Sequence, residues 1–183
     1  MSNQTPSAQT PSAQSPSAQS PSAPTIHQAV AAFLRADRWA HEAMPGQPVH
    51  RVFYQGHNGR LICFAQARNE ENQLLFYSYC PESVPEDRRL AMAEFLTRAN
   101  YGLALGNFEM DMNDGELRFK TSIDVEGATL TPELIRPVIY ANVLTMDEYL
   151  PAILAVIRAE KSPAEALDMV LSSKDQPAAT ASN

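Results

Sequence analysis

The side chains of this chain that could do chemistry are four histidines, two cysteines, three arginines on one helical stretch and an asparagine among aliphatics. His27, His41, His50 and His57 show no HxxxH or HxxE spacing and no nearby cysteine pair, so no metal site is expected. Cys63 and Cys80 lack CxxC spacing and fall inside strand-like runs, which predicts buried free thiols. No phosphate-binding or dinucleotide-binding glycine loop and no GxSxG occurs, so neither a cofactor nor a catalytic residue is expected, and the chain does not read as an enzyme. Asp111, Asn113 and Gly115 imitate a calcium loop, but the glycine comes one position too early. Arg88, Arg89 and Arg98 are candidate anion contacts, with a solvated helix face as the ordinary explanation. Asn142 sits in the stripe Ile135, Val138, Ile139, Met146, Leu150 and Ile153. It either fixes register in an interface or caps a helix that breaks near Leu144.

The elements that must position these residues are clearest over residues 94–123, which read as helix end, glycine stop, strand, tight turn and strand. With Asp114 and Gly115 as the centre of a two-residue primed turn, Met112 faces Leu117, Met110 faces Phe119 and Phe108 faces Thr121. On the other face Asp111 meets Arg118 and Glu109 meets Lys120.

Upstream, VHRVFYQ, RLICFAQAR and QLLFYSYC form a three-strand antiparallel meander. Centring its first turn on Asn58 and Gly59 puts Phe53 opposite Phe64, with Val52, Tyr54, Leu61 and Cys63 on the other side. Both faces carry apolar side chains and need cover: helices on one, more chain or a second subunit on the other. Val52, Tyr54, Leu61 and Cys63, together with Asn142, are the candidate partner or dimer surface.

Helices surround these strands. Thr25 caps a first amphipathic helix running to about Trp39 or His41. Ser83 and Glu86 form a capping-box spacing ahead of a second, ending near Gly102. Thr131 and Pro132 open a third that bends near Leu144 and kinks at Pro151, and Ser162 starts a short fourth. The fold class is therefore α+β: an antiparallel sheet of about five strands with an N-terminal, a central and C-terminal helices.

Three segments are expected: a low-complexity arm at residues 1–24, an α+β domain at 25–172 and a frayed end at 173–183. PSAQ recurs in the arm at five-residue intervals with no charge and no aromatic, too little apolar area to offset ordering entropy. Net charge is −7 and pI about 5.0, which argues against general nucleic-acid or anionic-membrane binding. The start has neither a basic nor an apolar leader region, and no run approaches the length of a membrane span, so a cytoplasmic location is expected.

The runs RANYGL, GNFEMDMNDGELRFKTSI and IYANVLTMDEYLPAIL, with the order helix, three strands, helix, two strands and closing helices, resemble the YbjN-domain family over residues 25–157. The resemblance implies a fold like that of type III secretion chaperones, usually dimeric, built to hold or regulate other proteins, and loosely connected with stress responses. It supplies no catalytic residue.

Two functions from different classes follow. The first is a homodimeric protein-binding module, an adaptor or chaperone-like regulator. The second is a small-molecule or nucleotide-responsive regulator with a pocket between helices and sheet, using Arg88, Arg89 and Arg98.

Overall fold

The computed structural model describes residues 24–174. The expected arm, apart from Pro24, and residues 175–183 lie outside the described residues.

Thr25 opens α1 (Ile26–Ala36): its hydroxyl accepts the Gln28 N–H at 3.2 Å, and the Gln28 side chain accepts the Thr25 N–H at 3.0 Å. The helix ends earlier than the periodicity suggests, because Arg38 takes a left-handed conformation at φ +59°. The next residues form β1 (Ala40–Ala43), a sixth strand that the sequence reading placed in the helix and its exit. Four residues without alternation carry no strand signal of their own; pairing with β2 makes them one.

β2 (Val49–Gln55), β3 (Arg60–Arg68) and β4 (Gln73–Tyr79) are the meander, and β5 (Asn107–Met110) and β6 (Leu117–Asp124) the hairpin. They join in one antiparallel sheet of order β1-β2-β3-β4-β6-β5. Both predicted turn registers are off by two residues. Phe53 faces Ile62, not Phe64, and Phe108 faces Phe119, not Thr121. Glu109 lies opposite Arg118 and Met110 opposite Leu117. A slip of two keeps every side chain on its face, so the face assignments hold.

The cause is tertiary in each case. The first turn centres on His57 and Asn58, because the Asp147 carboxylate accepts the N–H groups of His57, Asn58 and Gly59 at 2.9, 3.0 and 3.2 Å. The second is a loop over residues 112–115 in which the Gly115 N–H donates to the Asp111 carbonyl at 2.9 Å. Gly115, at φ +77°, is pressed so close to the Val84 carbonyl that a Cβ would lie 2.0 Å from it.

A 3-10 turn (Glu86–Arg88) leads into α2 (Arg89–Gly102) without the predicted Ser83 cap. α3 (Pro132–Ile157) is one uninterrupted helix of 26 residues, without the expected break near Leu144 and with Pro137 and Pro151 inside it. Pro137 and Pro151 lie on its exposed side, and the apolar side, with Val143, Met146, Leu150 and Ile153 buried, is continuous. α4 (Pro163–Lys174) packs on α2 and α3 and takes in Ser173 and Lys174 from the expected frayed end.

α1, α2 and α3 lie against one face of the sheet, and α4 rests on α2 and α3. α1 stacks His27 on His50 at 4.6 Å, α2 bonds Phe108 through Asn100, and α3 reaches the sheet through Asn142. Leu61, Leu74, Phe76 and Phe119 on that inner face are fully buried.

Candidate binding surface

The outer face of the sheet has no helix over it among the described residues. Strand alternation puts Phe53, Ile62, Phe64, Leu75, Tyr77 and Tyr79 there, with Arg51, Gln66, Arg118 and Lys120. Phe53 and Ile62 are 39% and 48% exposed. The rings pack on one another: Phe64 meets Tyr79 edge to face at 5.5 Å, and the Arg118 guanidinium lies 4.5 Å from the Tyr77 ring centre. The Arg51 guanidinium lies 5.9 Å from the Phe64 ring.

Charges flank this apolar band on both sides, and three of the cations, Arg51, Arg118 and Lys120, are paired with carboxylates of the chain, while Arg60 donates to Gln55. Arg51 pairs with Glu42 at 2.7 Å. Arg118 pairs with Glu109 at 3.0 Å, and Lys120 donates to the same carboxylate. Burial alone would raise the Glu109 carboxyl; bonds from Lys120, Arg118 and Asn107 outweigh it and hold the group below its usual range.

The predicted partner surface lies elsewhere. Val52, Leu61 and Cys63 are fully buried on the inner face, and half-buried Tyr54 packs 5.8 Å from Trp39. They are core, and this corrects the sequence reading. The missed signal was polar phase: Arg51 and Gln55 alternate with Phe53, and Arg60, Gln66 and Arg68 with Phe64, whereas the Val52 side carries almost none.

Asn142 is neither an interface residue nor a helix cap. It is fully buried; Ser78 donates to its Oδ1, while its Nδ2 donates to the carbonyls of Phe76 and Phe119 at 2.9 and 3.1 Å and to Thr121 Oγ1 at 3.1 Å. It ties α3 to β4 and β6. Arg88 donates to the Val156 carbonyl, Arg89 to the carbonyls of Val84 and Met112, and Arg98 to Glu94. The three guanidinium groups serve separate local bonds and do not converge on one pocket.

Burial pushes the Cys63 thiol up to about 12 and that of Cys80 up to about 11, far from the range of a reactive thiolate. The tertiary fold does gather three histidines: His41 lies 5.6 Å from His50, on which His27 is stacked. Both ring nitrogens of buried His50 lack a hydrogen-bond partner. Burial first, then the charges of His27, His41 and Arg35, push His50 down to about 4. Among the described residues no three His, Cys, Asp or Glu side chains are placed to hold a metal ion.

Comparison with known proteins gives three findings. The family model YbjN, described as "Putative bacterial sensory transduction regulator", matches residues 27–155. The crystal structure of YbjN from E. coli superposes with a TM-score of 0.52 at 14% identity, covering 72% of this chain and 88% of that one. A chain of the HopA1-SchA chaperone-effector complex gives a TM-score of 0.41 at 14% identity, covering 63% and 84%. No curated protein matches the sequence.

Proposed function

The chain belongs to the YbjN family, and from that premise we propose that it is a non-catalytic protein-binding module, an adaptor or chaperone-like regulator in the cytoplasm. On this reading it pairs with a second copy through the outer face of its sheet. The observation that carries the reading is the band Phe53, Ile62, Phe64, Tyr77 and Tyr79, with no helix over it among the described residues in a sheet that is apolar on both faces.

Strands about 4.8 Å apart with a rise near 3.3 Å per residue make this face roughly 24 by 20 Å. That is the same order as the ~800 Å² each partner gives to a standard interface. Arg51, Arg118 and Lys120 beside the band already have carboxylate partners, which lowers the cost of covering them when two copies meet about a twofold axis. The family description fits a protein that passes on a signal through what it binds. No described helix is long and apolar enough to cross a membrane.

Light scattering on the full chain tests the pairing. A dimer is expected, converting to monomer in Ile62→Asp and in Tyr77→Asp with the circular-dichroism spectrum retained. A full chain that stays monomeric at high concentration would sink the pairing through this face.

A further inference from the structure

β6 has eight residues and β5 four, so β5 covers residues 117–120 of its neighbour. Residues 121–124 pair with β4 on one side and meet no strand on the other among the described residues. The direction of the backbone groups follows from the ladder. The Asp111 N–H donates to the Glu116 carbonyl across the hairpin at 2.9 Å, whereas the Leu117 carbonyl accepts from Cys80 on the β4 side at 2.8 Å. Counting by twos, the N–H and C=O of Ser122 and Asp124 point to the open edge.

Beneath that edge, toward the helices, lies a hollow of about 290 Å³ walled by Leu105, Ile123, Leu134, Pro137, Val138 and Ala141. Leu105 is 61% exposed and Leu134 37%, so the hollow opens to solvent through apolar rims. On the outer side of the same strand, Gln73 and Leu75 of β4 with Lys120, Ser122 and Asp124 border a second hollow of about 160 Å³ with a mixed lining. Unpaired edges of this kind are usually kept short, charged or covered. Here the edge has an apolar slot on the helix side and a mixed one on the other.

We infer that residues 121–124 of β6 and the hollow beneath them form a strand-addition site for an extended segment of a partner protein, with apolar side chains at alternate positions. Such a segment would exchange backbone hydrogen bonds with Ser122 and Asp124. It would seat an apolar side chain between Leu105 and Val138, and turn polar side chains, a basic one beside Asp124, to the outer side. The chain's own low-complexity arm is a poor occupant. Proline at five-residue intervals removes backbone donors, and no large apolar side chain lies between the prolines. The inference rests on the protein-binding reading and deepens it, at a place apart from the proposed pairing face.

The test is selection of a random dodecapeptide display library on the immobilised full chain, followed by fluorescence anisotropy of the selected peptides. Enriched sequences are expected to alternate apolar and polar residues. Their affinity should fall at least tenfold in Ser122→Pro, which removes an edge donor without touching the β4 ladder, and in Ala141→Phe, which fills the hollow. Leu90→Ser on α2, 79% exposed and outside both the groove and the pairing face, should leave it unchanged. Peptides indifferent to both groove variants but lost in Ile62→Asp would overturn the groove while keeping the protein-binding reading. No enrichment at all would overturn the groove, and if the full chain were also monomeric, the protein-binding reading with it.

Discussion

Phe76 and Tyr77 are neighbours on β4 that occupy different environments. Phe76 points under α3 and is fully buried; Tyr77 points away from the helices, half-buried, with the Arg118 guanidinium above its ring. The same contrast holds along the sheet. The inner face is closed by helices and by buried polar ties, Asn142 to Ser78 and Asp147 to the first turn. The outer face is held by ring packing and half-exposed ion pairs, which contribute less. A face finished by its own chain is built for stability, and a face left open is available to something else.

The sharpest test of that contrast is truncation of the two neighbours. Phe76→Ala should cost about 3–5 kcal/mol in urea unfolding, whereas Tyr77→Ala should cost about 1 kcal/mol in the monomer. Equal losses would break the distinction between the faces. Asp147→Ala comes next, with about 2–3 kcal/mol expected, because three turn N–H groups lose their acceptor. Amide exchange at residues 57–59 should quicken in that variant, and unchanged protection would show that the turn holds without the helix.

The histidine corner of the inner face should respond to acid. His50 is held neutral in the folded state, to about 4, while an unfolded imidazole protonates near 6.5. Protons therefore bind the unfolded state first. Stability is whole above about pH 6.5, drains as pH falls through 6.5 toward 4, and levels off below. The loss should be about 1–2 kcal/mol, less than full linkage, because half-buried His27 and His41 admit screening water. His50→Phe should flatten the profile in that window, and a variant that keeps the slope would assign it elsewhere. The smallest effect belongs to the outer face: Glu109→Gln should change monomer stability by less than about 1 kcal/mol, and by still less in high salt. A larger change would mean that the outer charges act as a buried network.

Much of the fold was legible in local pattern. The Thr25 cap, the Pro132 start and the Ser162 start were read from residue type and spacing, and Ser162 and Glu165 do bond reciprocally. The α+β class and the two apolar faces were legible too, since a period of two shows directly which residues share a side. The site was harder. That both faces of the meander carry apolar side chains was legible, but Val52, Leu61 and Cys63 are core and the exposed face is that of Phe53 and Ile62, which the polar residues in phase with them mark. Asn142 was singled out for its odd position, and its partners lie 21 to 66 residues away. No spacing rule reaches that far.

Local chemistry in the sequence by itself determined which residues begin helices, which alternate across strands and which side chains share a face, because those depend on backbone geometry over a few residues. Tertiary structure alone decided where each turn closes, whether α3 breaks, which histidines meet and which face stays open. Asp147 and Val84 outweigh the intrinsic preference of the two glycine turns because each offers buried hydrogen bonds or a close contact to a turn that has several conformations of similar energy. The open face follows from the way the helices are attached: α1, α2 and α3 pack on one side of the sheet, α4 packs on α2 and α3, and no helix remains for the other side among the described residues.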